Sequence, residues 1–173
     1  MRDGYGVQRY ADGSLYEGVW QYDKQIDGTM TWPDKSYYKG HFSGNFFQGE
    51  GTLITKDEII RGTWKKSKLD GQGERIMLDG SSRYMGKWVQ GKLTGHGEFH
   101  NQHENYVGHF FNNLEHGTGK KIYSDGTEYE GKWNQGLAEG FGKIVYPDGS
   151  YYRGQFLEGM KHGKGTHESN QFK

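Results

Sequence analysis

Residues 129–142 read Tyr129-Glu130-Gly131-Lys132-Trp133-Asn134-Gln135-Gly136-Leu137-Ala138-Glu139-Gly140-Phe141-Gly142; Asp148-Gly149 follows, and Tyr152 opens the pattern again. Tyr, Gly and Trp at i, i+2 and i+4 share one face of a strand, and Gly-x-Gly leaves two bare positions on one face of the next. Large rings can then lie over neighbouring glycines, as they do where an aromatic covers a glycine in a sheet. Gly136, three residues after the aromatic, stands where a tight turn asks for positive φ.

The same unit runs outward in both directions. Its Tyr slot holds Tyr16, Tyr38, Ile60, Tyr84, Tyr106, Tyr129 and Tyr152, at intervals of 22, 22, 24, 22, 23 and 23. The glycine slot holds Gly18, Gly40, Gly62, Gly86, Gly108, Gly131 and Gly154, and the next alternate position is always aromatic: Trp20, Phe42, Trp64, Trp88, Phe110, Trp133, Phe156. Paired glycines follow each time, from Gly49/Gly51 to Gly163/Gly165, except that Ile26 replaces the first glycine beside Gly28; an unpaired copy, Gly4/Gly6, opens the chain. The turn slot holds Asp23, Asn45, Ser67, Gly91, Asn113, Gly136 and Gly159, of which all but Ser67 are types that tolerate positive φ. Asp12-Gly13, Asp79-Gly80, Asp125-Gly126 and Asp148-Gly149 supply the second kind of connection.

Short turns at every junction predict an all-β fold, an elongated antiparallel β-meander of seven hairpins plus a leading strand near residues 4–10. The repeats run approximately 16–37, 38–59, 60–83, 84–105, 106–128, 129–151 and 152–173, with a half repeat at 4–15, forming one array over residues 1–173. Fifteen strands at roughly 4.8 Å spacing make a rod on the order of 70 Å long. Each unit is buried only by its neighbours.

Composition agrees. The 173 residues carry zero net charge, no cysteine, 2 prolines, 30 glycines and 13 Tyr, 9 Phe and 5 Trp. Few aliphatics with so many rings suits a thin structure held by rings on backbone, whereas a disordered chain would be charged and poor in aromatics. The absence of cysteine removes disulfides and thiolate chemistry and agrees with a reducing compartment. Zero net charge removes the broad pull that nucleic acids exploit, so no nucleic-acid partner is expected. No apolar run of signal-peptide or membrane-spanning length occurs, which predicts a cytoplasmic protein.

The pattern resembles the MORN (membrane occupation and recognition nexus) repeat family, whose consensus reads approximately Tyr-x-Gly-x-Trp, a short loop, Gly-x-Gly, then Asp-Gly. The resemblance covers practically the whole chain. It implies a twisted sheet presenting an elongated groove, and protein-binding scaffolds in cytoskeletal structures such as cilia, flagella and basal bodies. It also implies two alternatives, a membrane or phosphoinositide module and the regulatory region of a larger enzyme, since resembling repeats accompany lipid kinases and SET-type methyltransferases. The array opens in mid-hairpin, which leaves a longer parent chain open.

The repeats account for the residues that would otherwise suggest catalysis. No Gly-x-Gly continues to a dinucleotide fingerprint, and residues 159–165 fall one residue short of a phosphate loop, with no Ser or Thr after the lysine; steric glycine accounts for them. His96, Glu98, His100 and His109 fall on neighbouring strands, but no ligand set recurs, so no metal, cofactor or catalytic residue is assigned. His116 and His162 precede Gly-x-Gly, where the resembling family frequently has histidine, and read as structural. Lys65, Lys66 and Lys68, and Lys120 with Lys121, are basic clusters suited to anionic lipid; Asp57, Glu58 and Asp70 lie close by, and solvated positions are the preferred reading.

The sequence therefore predicts a non-enzymatic scaffold that binds proteins through an aromatic, glycine-lined groove: Tyr16, Trp20, Tyr38, Phe42, Trp64, Tyr84, Trp88, Tyr106, Phe110, Tyr129, Trp133, Tyr152 and Phe156. The competing role for these rings is the core itself. Irregular closures at residues 55–60 and 101–105 are expected sites of altered curvature or partner contact. A homodimer through the C-terminal repeat, along the strand from Gly163 to about Ser169, is a further expectation.

Overall fold

The computed structural model describes residues 1–169; the last four residues of the predicted repeat 152–173 lie outside the described residues. The described residues contain no helix, and the antiparallel strands follow sequence order in one sheet, as the repeats predict. The chain forms two compact units, Met1–Gly91 and Lys92–Lys173. The first holds β1 (Gly4–Arg9), β2 (Leu15–Gln21), β3 (Lys24–Thr31), β4 (Tyr37–Ser43), β5 (Phe46–Ile54), β6 (Glu58–Lys65), β7 (Lys68–Met77) and β8 (Ser82–Val89). The second holds β9 (Lys92–Asn101), β10 (Glu104–Phe111), β11 (Leu114–Tyr123), β12 (Glu128–Asn134), β13 (Leu137–Val145), β14 (Tyr151–Leu157) and β15 (Met160–Glu168).

Register puts glycine against glycine. In the first unit Gly6, Gly18, Gly28, Gly40, Gly51, Gly62, Gly73 and Gly86 pair in succession across eight strands. The second unit has its own row, from Gly97 through Gly108, Gly119, Gly131, Gly142 and Gly154 to Gly165. Tyr16, Tyr38, Tyr106, Tyr129 and Tyr152 lie over this floor: the Tyr16 hydroxyl donates to the carbonyls of Val19 at 3.0 Å and Asp27 at 2.9 Å, and Tyr106 and Tyr129 donate to His109 and Lys132, both at 2.9 Å. A buried phenol needs such a partner, and the carbonyl three residues on supplies it.

The rings also tie hairpin to hairpin. Tyr16 meets Trp20 edge-to-face at 5.0 Å and Phe42 of the next hairpin at 5.3 Å; Tyr129 meets Trp133 at 5.0 Å and Phe156 at 4.9 Å. Three of the indoles in the second ring slot donate backwards through their N–H: Trp64 to Gly51 O at 2.9 Å, Trp88 to Gly73 O at 3.0 Å, Trp133 to Gly119 O at 3.1 Å. At the hairpin tips the turn N–H does the same, as in Ser67 to Phe47 O at 3.1 Å and Gly136 to Glu115 O at 2.9 Å. Nearest-neighbour bonding of this kind makes the array one-dimensional in its energetics.

Both turn types appear. Six of the seven hairpin tips carry positive φ at two consecutive residues, for example Tyr22 and Asp23 or Asn112 and Asn113, the geometry whose twist matches the strands, whereas at the second tip Gly44 (φ 62) has it and Asn45 does not. Ser67 adopts it too (φ 61), as does the residue before it, Lys66. At five of the other junctions an Asp carboxylate accepts from the residue two places on, as Asp148 does from Ser150 N at 2.8 Å and Oγ at 2.6 Å, while Thr55 Oγ1 and Asn101 Oδ1 take that part at the two irregular closures. The turn at residues 32–36, closing the first hairpin, is of this kind, with Lys35 (φ 70) where Gly13 and Gly149 stand elsewhere.

The second strand of the hairpins bulges. Gly40 faces Gly51 while Phe42 faces Phe47, so two steps on β4 span four on β5, and Gly49 (φ 63) lies in the bulge. In the first hairpin Gly18 faces Gly28 and Trp20 faces Gln25, two steps against three. Ile26 stands there in place of glycine and is outside the positive-φ region, which a β-branched residue resists.

A polar face along the glycine floor

The rings named as a groove are the core. Of the thirteen, twelve are between 0 and 9% exposed, and Tyr84 is half-buried. Inner ring surface lies on glycine, and residues from the start of the following strand close over the outer surface: Phe47 stacks on Tyr38 with centroids 3.7 Å apart and planes 4° apart. In the third hairpin, where Ile60 replaces the tyrosine, the Leu69 methyls take the place over Gly73. Burial pushes the Tyr16 and Tyr129 hydroxyls up to about 12, and raises those of Tyr38 and Tyr106 as well.

Strand alternation sends the intervening side chains to the opposite face, where the glycine row forms the floor of shallow depressions. In the first unit the walls include Asp27, Lys39, Glu50, Arg61 and Glu74. Their charges are largely matched: Glu74 holds both Arg61 and Arg83, His41 lies 3.5 Å from Asp27, and Thr63 donates to Glu50 at 2.6 Å. Burial opposes ionisation of Glu74, but the two guanidiniums outweigh it and hold its carboxyl below the usual range.

In the second unit two depressions share Glu130, Gly131 and Phe141. The first reaches His96 and His109, whose rings are 5.8 Å apart, and the second reaches Lys143 and Arg153. His100 pairs with Glu98 at 3.1 Å and with Asn105 at 3.0 Å, and among the described residues no group of three or more His, Cys, Asp or Glu is placed to hold a metal ion. His116 and His162, like Gly159, are at least partly exposed, and Lys65, Lys66 and Lys68 form an exposed tip.

Lys121 departs from the solvated reading. It is buried on the ring face, its ammonium 2.9 Å from Glu115, 3.1 Å from Glu104 and 4.8 Å from the Trp133 ring centroid, while Lys120 points to the other face and pairs with Glu128 at 2.7 Å. Desolvation lowers the Lys121 pKa, but the two carboxylates overcome it and the net shift is upward. Phe141, 65% exposed, was not singled out from the sequence. Its signal was there: the middle of Gly-x-Gly, or of its Ile26 counterpart, is Asp27, Glu50, Gln72, His96, Thr118 and Lys164 in the other six hairpins.

No helix among the described residues is long and apolar enough to cross a membrane. The chain is similar in fold to the TCP domain of SAS-4 (dCPAP) of Drosophila melanogaster in complex with a proline-rich motif of Ana2 (dSTIL), at 14% identity and a TM-score of 0.52, over 89% of this chain and 86% of that one. A second similar structure is the G-box domain of the microcephaly protein CPAP, at 14% identity and a TM-score of 0.42, over 97% of this chain and all of that one. No curated protein matches the sequence. The family model for the MORN repeat matches residues 1–15, 38–57, 61–82, 84–101, 106–128, 129–151 and 152–170. Residues 16–37, left out by it, have the same ring-over-glycine hairpin, with Ile26 as its irregularity. Matched over most of its length, and with the floor, rings and turns of the repeat in place, the chain belongs to the MORN repeat family.

Proposed function

We propose that the protein is a non-enzymatic protein-interaction module of the cytoskeleton, and that it meets partners through the polar face over its glycine floor. The observation that carries this reading is the asymmetry of the two faces: the rings on one are closed by packing, while the other presents a row of exposed side chains on backbone. The framework needs glycine and aromatics at fixed places and leaves the opposite positions free to vary, the arrangement repeat proteins use for recognition. The SAS-4 domain, which shares the fold, carries a peptide motif, which supports a peptide-binding use of such a sheet. Proximity labelling in the native cell, with wild type and a variant whose Lys39, Arg61, Lys132 and Arg153 are changed to Glu, is the test. A labelled set rich in cytoskeletal proteins that disappears with the variant is expected. A set indifferent to the face overturns the reading.

A further inference from the structure

We infer that the depression around Phe141 is a site for an extended acidic segment of a partner protein that carries one large apolar side chain. This deepens the reading of the polar face as a protein-binding surface and rests on it.

Phe141 has no role in the framework. Six hairpins keep a polar or charged residue in its slot, and the floor on which it stands, Gly142 facing Gly131 and Gly154, is built as in those hairpins. An exposed ring in such a place, on the wall shared by two depressions, is an unused apolar contact of the residue type that dominates binding anchors.

The charges around it differ from those of the first unit. Lys132, next to the buried Trp133, lines the same depression as Phe141, and Lys143 faces Arg153 directly across β13 and β14. Among the described residues none of these three cations is in an ion pair; the Lys143 ammonium lies over the Tyr151 ring at 4.5 Å. Glu130 is the acidic residue of the shared depression, and the nearby Lys120 is engaged by Glu128. Unpaired cations ringing an exposed aromatic complement a segment with the opposite charge and its own apolar side chain.

Geometry selects the occupant further. Two adjoining depressions with a common wall form an elongated track along the glycine row, which suits an extended chain.

The test pans a displayed library of random linear peptides against the whole chain, then measures synthetic consensus peptides by fluorescence anisotropy. Acidic sequences with one aromatic or large aliphatic residue are expected, with affinity falling as salt rises. Phe141→Thr, which installs the residue type of the equivalent Thr118, and separately Lys143→Glu with Arg153→Glu, are each expected to weaken binding by at least about tenfold. Phe141→His, matching His96, serves if the threonine variant loses its circular-dichroism melt. Neutral or basic consensus sequences, binding indifferent to both variants, or capture of phosphatidylserine vesicles without peptide binding would each overturn the proposal. Binders blocked by Arg61→Glu in the first unit would remove this site yet leave the interaction-module reading, which fails separately if cellular labelling ignores the whole face.

Discussion

Gly131 and Gly142 face each other so closely that a Cβ built on Gly131 would stand 2.6 Å from the Gly142 Cα, and 2.5 Å from the hydroxyl oxygen of Tyr129. The tyrosine cannot retreat, because its hydroxyl is bonded to Lys132 O and its ring is held by Trp133 and Phe156. Gly131→Val is expected to cost more than about 3 kcal/mol, at the upper end of overpacking effects. Gly6→Ala, whose Cβ meets Trp20 at an ordinary 3.5 Å, should cost under about 1 kcal/mol. Urea titration of both variants checks the pair; equal losses would remove the ring-on-glycine account.

Lys35→Gly should stabilise the first unit. Lys35 holds φ 70 in a turn where Gly13, Gly80, Gly126 and Gly149 hold φ between 74 and 87. Relief of the left-handed conformation, about 1–2 kcal/mol, exceeds the added chain entropy of glycine, about 0.5–1 kcal/mol. A melting temperature raised by a few degrees is the expected readout, and an unchanged or lowered one counts against it.

Lys121→Met should cost about 3–5 kcal/mol, because it leaves Glu104 and Glu115 facing one another without a cation. Adding Glu115→Leu to that variant should recover most of the loss, since a packed apolar pair can replace a buried ion pair. Chemical denaturation of the single and double variants gives the comparison, and a double variant no better than the single one would assign Glu115 no part in the pairing.

Alkaline pH should unfold the protein through its tyrosines. A phenol whose folded pKa is raised contributes stability that is complete below its unfolded value, near ~10, and is lost as pH rises through the folded value. For Tyr16 and Tyr129 that window runs from 10.0 to about 12. Phenolate absorbance and the far-ultraviolet signal of the sheet should therefore change together there. Tyrosines titrating at their ordinary pKa with the sheet intact would contradict their burial.

The hairpins were legible in the sequence because their determinants are local: Tyr-x-Gly-x-Trp fixes a face within five residues, and Asp-Gly marks a turn by itself. Ser67 was the turn residue that fitted the expectation least, yet it takes the same φ as Asp23, the hairpin twist overriding residue preference. What the pattern could not show depends on the fold closing over itself. Residues such as Phe47, stacked on Tyr38, come from the following strand to close over the rings, so all but Tyr84 of the residues read as a groove are buried. Lys121 is buried because Glu104 on the paired strand β10 and Glu115 from the start of β11 converge on its ammonium, whereas its neighbour Lys120 keeps to the outer face. Phe141 was overlooked for the opposite reason: an aromatic in a chain rich in aromatics attracts no notice until its slot is compared across all seven hairpins.

The replacement of a tyrosine ring by Leu69 above Gly73 bears on how such a chain can drift. Ile60 is accommodated because Leu69, an apolar group from the same hairpin, reaches the glycine floor where a tyrosine ring would otherwise lie. The second hairpin, with Phe47 stacked on Tyr38, keeps a similar reserve. The first does not: the residue at the matching place is Gln25, whose amide is committed to the Tyr10 hydroxyl at 2.8 Å. Mutational freedom is thus unevenly distributed along a chain whose repeats look alike, and Tyr16 is locked where Ile60 was free to change.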